Sequence, residues 1–483
     1  VIGDDVCFAS IRELGALLRS HRLSAVDLAE ASLDRLERIG PRLGAVVTLT
    51  RERALAQAHR ANQELLGGRD RGPLHGIPYG AKDLLATKGI PTSWGAEPLR
   101  DQVFDHDATV VEKLEQAGAV LVAKLAMVEL AGGLGYDNPD ASFTGPGRTP
   151  WNTAHWSGGS SSGSAAAVAA GLVPFAIGSE TSGSILTPAT FCGVTGLRPT
   201  YGLVSRHGAM TLCWTLDKLG PIARGADDCA LVLAAIAGPD PNDPTTGAVF
   251  RYRDRPEGGG PGRRFRLGVL QGATDDADPD VKANFARALT ALRDVADLEE
   301  DVAFPDLPYR EAVGLIVDAE GGAALRELIE SGRVKQLRAA ADRVGGFAML
   351  ATRAADYIDA LRARVAMRVQ LDSLLARYDA VLAPTRGRLA PPIGRDFDAT
   401  AGGAATPARE AKAPRAPATI PAGNLAGLPA LAVPNGFGRD GLPTSLQLLG
   451  RAFSEARLVA IADAYQRLTD WHRRRPPLGN EQG

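Results

Sequence analysis

Between Ser157 and Ile185 the chain leaves itself little conformational choice. Ser157-Gly-Gly-Ser-Ser-Ser-Gly-Ser164 runs without a break into Ala165-Ala-Ala-Val-Ala-Ala-Gly-Leu-Val173, and a second small-residue run, Gly178-Ser-Glu-Thr-Ser-Gly-Ser-Ile185, follows within a few residues. A flexible Gly/Ser linker stays polar on both sides. This segment instead reads as a turn, a buried helix from Ser162 to Ala170, a strand around Val173 to Ile177, and a second turn. Such alternation belongs to layered α/β structure.

Glycine reaches dihedrals and close approaches closed to other residues, so Gly-rich turns let backbone N–H groups converge on a small site. The two runs place Ser160 and Ser184 24 positions apart, and upstream Lys82 closes Gly76-Ile-Pro-Tyr-Gly-Ala-Lys-Asp83. Three such segments carrying Lys82, Ser160 and Ser184 point to a serine nucleophile with an unusual base. A helix N-terminus after a Gly/Ser turn also suits phosphate. Neither run ends in the Lys-Ser/Thr of a P-loop, and no Gly-x-Gly-x-x-Gly follows an expected strand.

A chain of 483 residues can bury a large core, and length alone would allow two or three domains. Its formal net charge of -2 lacks the basic excess of a general nucleic-acid binder. Only 8 of the 54 basic residues are lysines, which makes one inside an apolar, Gly-rich segment conspicuous. Cys7, Cys192, Cys213 and Cys229 have no metal-ligand spacing and form no disulfide framework. The seven histidines are scattered, and His75 reads as a turn or wall residue. No 18-residue apolar run suggests a membrane span. The sequence begins at Val1, so the expected location is the cytoplasm by default, or an exported one if a signal peptide was removed.

Along the chain, Ser24 with Asp27 opens a helix to about Ile39, and a second helix spans roughly Arg51 to Leu66. Leu74 to Ala81 reads as strand then turn, putting Lys82 at or just beyond a buried strand. A helix over Thr109 to Gly118 and a strand over Val120 to Ala123 follow. Val194 to Arg198 and a helix from Asp227 to Ala237 continue the rhythm. Pro239-Asp-Pro-Asn-Asp-Pro-Thr245 is a loop, and Gly258-Gly-Gly-Pro-Gly262 a surface turn before a strand at Leu267 to Leu270. Residues 305–378 turn rich in Ala, Arg and Leu and read as a helical flank or cap that shapes a pocket. Ala380 to Pro384 returns to strand. Asp396-Phe-Asp398 leads to a flexible Ala401-Gly-Gly-Ala404, and α/β character resumes at Pro429 to Pro434 and Leu446 to Leu449. No internal repeat is apparent.

Over nearly its full length the sequence resembles the amidase signature family. The segments that carry the likeness are Gly76 to Asp83, Ser157 to Ser164, Gly178 to Ile185, Cys192-Gly-Val-Thr-Gly-Leu-Arg-Pro-Thr200, Asn424-Leu-Ala-Gly-Leu-Pro-Ala430 and Gly441-Leu-Pro-Thr-Ser-Leu-Gln447. The resemblance implies one α/β/α domain over residues 1–483, built around a large twisted mixed sheet. It implies Ser184 as nucleophile, Ser160 as a bridging serine after a cis peptide bond, and Lys82 as base. Backbone N–H groups of Thr181, Ser182, Gly183 and Ser184 would form the oxyanion hole. Those roles are chemically coherent. A serine hydroxyl is a weak nucleophile until a base takes its proton. Burial lowers a lysine pKa toward neutrality, and a hydroxyl can accept and donate at once. Asp83 would oppose this if it faced Lys82, so it is expected to point away and hold backbone N–H groups.

Three positions depart from the usual family pattern: Glu180 stands where aspartate is common, Ser182 where glycine is, and Leu186 where arginine is. None removes a triad residue. They lean the reading away from the glutaminyl-tRNA amidotransferase branch and toward hydrolysis of an aryl or alkyl amide, with carbamates and esters open to the same attack. A transamidation component of a larger assembly, working on charged tRNA, is the alternative. Met127, Leu134, Tyr136 and Leu186 are the expected pocket-wall residues, with core packing as the rival role for the aliphatic ones. The expected protein is a monomer or homodimer acting on a small-molecule amide. It would use no metal, organic cofactor or direct nucleic-acid contact.

Overall fold

The computed structural model describes residues 3–252, 264–397 and 418–478. The expected Gly258–Gly262 turn and the Ala401–Ala404 segment lie outside them, as does Asp398. Eleven described strands form one mixed sheet: β1 Val46–Leu49, β2 Pro78–Lys82, β3 Val120–Leu125, β4 Phe175–Glu180, β5 Thr195–Arg198, β6 Lys218–Ala223, β7 Phe265–Leu270, β8 Ala296–Val302, β9 Ala380–Pro384, β10 Ala430–Phe437 and β11 Pro443–Leu449. Their order across the sheet is β1-β3-β2-β4-β6-β5-β10-β11-β9-β7-β8. β2 is parallel to both β3 and β4, whereas β6 runs antiparallel to β4 and β5. β10 pairs antiparallel with β5, setting Ala430 opposite Arg198. That pairing joins the halves on either side of the 239–245 loop, and both share one hydrophobic core.

The helices form where caps and periodicity place them. Ser24 caps Ala25–Ile39 by accepting the Asp27 N–H at 3.0 Å, and Arg51–Leu66 buries Ala54, Ala58 and Ala61 against the sheet. One expectation is inverted. Residues 74–76 make the turn and β2 follows, because His75 N–H closes on Gly72 O and Ile77 N–H on Leu74 O. Lys82 ends β2, within the buried strand where it is expected. The 305–378 stretch contains helices Tyr309–Ala324, Arg326–Glu330, Asp342–Met349 and Ala354–Leu375. Among the described residues no helix is long and apolar enough to cross a membrane.

The site owes its position to the middle of the sheet. β2 and β4 lie side by side and end at Lys82 and Glu180. The helix Ser162–Ala169 packs across β4 with every residue buried. Both serine turns thus open at the same edge as the lysine.

Candidate active site

Lys82 is wholly buried. Its Nζ lies 2.7 Å from Ser160 Oγ, 2.8 Å from Ser179 Oγ and 3.1 Å from Ser161 Oγ. The Gly159–Ser160 peptide bond is cis. Ser161 Oγ gives its own proton to Ser179 O at 3.2 Å and receives the Ser179 N–H at 3.3 Å. It therefore meets Lys82 as an acceptor. A neutral amine has two N–H donors and one lone pair. Once neutral, the amine keeps two donors, which Ser161 and Ser179 can accept, so that its lone pair is able to face Ser160.

Burial pushes the Lys82 pKa down to about 7, against a smaller upward pull from Asp217 and Glu180. Asp83 faces elsewhere. One carboxylate oxygen accepts the N–H and hydroxyl of Ser93, and the other lies 3.1 Å from Nζ of Lys124, itself fully buried. Lys124 also donates to Thr92 Oγ1 at 2.7 Å. The nearest-sequence carboxylate is thereby spent on a second lysine.

Ser184 comes alongside through the backbone, its carbonyl accepting the Ser161 N–H at 3.2 Å. The Ser184 side chain is nearly buried, and its hydroxyl has no hydrogen-bond partner among the described residues. The N–H groups of Ser182, Gly183 and Ser184 likewise donate to no described acceptor. Gly183 has φ +95°, and a Cβ there would stand 3.2 Å from both Ile420 Cγ2 and Thr187 Oγ1. Only glycine holds this turn without strain.

Glu180 ties the turn down. One oxygen accepts the N–H groups of Ile185 and Leu186 at 2.9 and 3.0 Å. The other accepts Arg198 Nη1 at 2.9 Å and Asn424 Nδ2 at 2.8 Å. Burial pushes this carboxyl up, yet Arg198, Asn424 and the two N–H groups outweigh it and hold its pKa below the ordinary value. Thr181 is fixed separately, its hydroxyl donating to Asp217 at 2.6 Å, while Asp217 also accepts the N–H groups of Leu212 and Cys213.

Beside Ser179 and Thr181 opens a cavity of about 170 Å³ walled by Leu84, Met210, Leu212 and Leu219. Arg206 borders it, paired with Asp243 at 3.1 Å and lying 4.9 Å from the rings of Tyr201 and Trp214. None of the four expected wall residues lines this cavity. Met127, Leu134 and Leu186 are buried in the main core. Leu186 heads the helix behind Ser184, and Leu134 packs under Gly346 of the Asp342–Met349 helix. Tyr136 is half-buried, its ring set against Trp156 and Phe397 at 6.2 and 5.6 Å. Sequence reasoning also missed Ser161, Ser179, Arg198 and Asn424 as members of the site, although all four stand inside the motifs. The four cysteines are free thiols.

The family model described as Amidase matches residues 27–459. The chain is 37% identical to a glutamyl-tRNA(Gln) amidotransferase subunit from Moorella thermoacetica, over 98% of this chain and 99% of that one. The structure of a native peptide amidase from Stenotrophomonas maltophilia superposes with a TM-score of 0.86 at 34% identity, covering 98% of this chain and 99% of that one. The corresponding glutamyl-tRNA(Gln) amidotransferase subunit from Thermotoga maritima gives 0.74 at 30% identity, covering 97% and 96%.

Proposed function

The chain belongs to the amidase family, and on that premise we propose that it cleaves a carboxamide C–N bond through an ester formed on Ser184. The observation that carries this reading is the buried Lys82 amine, 2.7 Å from Ser160 Oγ with its neutral form accessible near pH 7. Lys82 takes the Ser160 proton as Ser160 takes that of Ser184. Ser184 Oγ attacks the carbonyl carbon. The oxygen that becomes negative is met by the free N–H groups of Ser182, Gly183 and Ser184, donors of a kind worth about 3 kcal/mol each. Ser160 then returns a proton to the departing nitrogen, and water releases the acid from the ester by the same path in reverse.

Two fates for the released nitrogen divide the readings. The names of the curated relatives favour a component of an amidotransferase, which would hydrolyse an amide donor and pass ammonia to an acceptor on a partner. The departures at Glu180, Ser182 and Leu186 do not outweigh this, since Leu186 is a core residue and Glu180 still anchors the turn. A free-standing amidase is the second reading, favoured by the closer superposition on the peptide amidase. The test is ammonia release from glutamine, a peptide amide and an anilide, by wild type and Ser184→Ala, alone and with the products of neighbouring genes. Glutamine turnover that rises with a partner and charged tRNA supports the amidotransferase reading. Peptide-amide turnover by the isolated chain supports the amidase. Equal rates for wild type and Ser184→Ala overturn both.

A further inference from the structure

We propose that Arg198 and Glu180 are positioning residues for Ser184, with an arginine of β5 taking up the carboxylate that anchors the nucleophile turn in a chain whose residue 186 is a leucine. The inference rests on the acyl-enzyme reading and adds the device that sets its geometry. Glu180 ends β4 and receives the N–H groups of the two residues that follow Ser184. Arg198 holds that carboxylate with Nη1 at 2.9 Å and reaches Leu428 O with Nε at 3.0 Å. One side chain thus braces the turn against the segment that leads into β10.

The sequence makes room for it. A Cβ on Gly423 would collide with Arg198 Nη2, so a side chain at 423 would displace the guanidinium from this position. Lys218, opposite Glu180 in the β4–β6 ladder, donates its amine to Leu216 O instead. Leu186 is fully buried and apolar and supplies no charge. The network also leaves Arg198 Nη2 and Asn424 Oδ1 without partners among the described residues. A wholly buried ion pair with orphaned polar atoms is a poor source of stability compared with an apolar pair of the same volume. Its value lies in direction. The carboxylate is one side-chain methylene longer than the aspartate common at this position in the family, which lets it span from the arginine to the turn.

The experiment measures the rate at which an alkyl fluorophosphonate modifies Ser184, the Ser184 Oγ–P bond forming as fluoride leaves, alongside Tm and the reversible affinity for the reagent. Wild type is followed first: if Ser184 is not its modified residue, the acyl-enzyme reading fails and the positioning question does not arise. Glu180→Asp keeps the charge pair but shortens the reach, and is expected to label about 10–100-fold more slowly with affinity unchanged. Glu180→Leu/Arg198→Met removes both charges together, so it leaves no unpaired ion, and is expected to fold and label at least about 100-fold more slowly. Glu180→Gln/Arg198→Met restores an oxygen to the turn and should recover to within about tenfold of wild type. A folded Glu180→Asp or Glu180→Leu/Arg198→Met protein that labels at the wild-type rate overturns the inference. So does a Glu180→Gln/Arg198→Met protein no faster than the leucine pair.

Discussion

Replacement of Lys82 bears on rate and stability in opposite directions. With its pKa near 7, about a tenth of the amine is neutral at pH 6 and about nine-tenths at pH 8, so kcat/KM should rise about tenfold across that interval and level above it. A lysine at the solvent value of about 10.4 would still be climbing at pH 9. Lys82→Ala should lose most turnover at every pH. Lys82→Arg should fail as well, because a guanidinium keeps its proton. Stability moves the other way. The folded lysine titrates near 7 and the unfolded one near 10.5, so the unfolded chain binds the extra proton between those values and stability rises with pH through that window. Holding the amine neutral at pH 7 costs roughly 5 kcal/mol at about 1.4 kcal/mol per pH unit, offset in part by its three hydroxyl contacts. Lys82→Met should therefore be more stable than wild type by roughly 2 kcal/mol or more at pH 7, and the gain should shrink toward pH 10. The assay is a pH–rate profile beside denaturant melts of wild type and the three variants. A folded Lys82→Arg enzyme with near-wild-type kcat/KM, or a Lys82→Met protein less stable than wild type at pH 7, refutes the reasoning.

Gly183→Ala forces a side chain into φ +95° against Ile420; it should cost about 1–2 kcal/mol in stability and a larger share of kcat than of KM, read from melts and steady-state kinetics. Leu212→Trp should fill part of the 170 Å³ cavity and raise KM for bulky anilides while sparing acetamide. In the unfilled cavity each added methylene should gain about 0.8 kcal/mol, a few-fold in kcat/KM, and a flat series would separate the cavity from the substrate. Dialysis against a strong chelator should leave the rate unchanged; loss that one divalent ion restores would contradict a metal-free mechanism.

Local order was readable and distant pairing was not. The helix Ala25–Ile39 announces itself through a cap and a 3.6-residue apolar repeat, and Arg51–Leu66 through its alanine-rich run. No such signal places β10 beside β5, or β1 beside β3, because pairing between segments far apart in sequence is set by the whole sheet. The small-residue motifs located Lys82, Ser160 and Ser184. They did not reveal that Ser161 and Ser179 complete the amine's surroundings, since one hydroxyl in a serine run looks like the next. Nor did they show that Arg198 answers Glu180, because the pair meets only when β4, β6 and β5 are laid side by side. The apolar residues after β3 were the least legible. Met127 and Leu134 have the composition of a pocket wall, and burial alone sends them to the core.

The central claim is an ester on Ser184. Incubation with an activated ester or slow anilide, acid quenching, intact-mass analysis and peptide mapping measure it directly. The account predicts one acyl group per chain in the peptide that carries Ser184, none in Ser184→Ala, and slower accumulation in Ser160→Ala. An adduct of equal yield in Ser184→Ala, or one mapped to another residue while turnover continues, would contradict it.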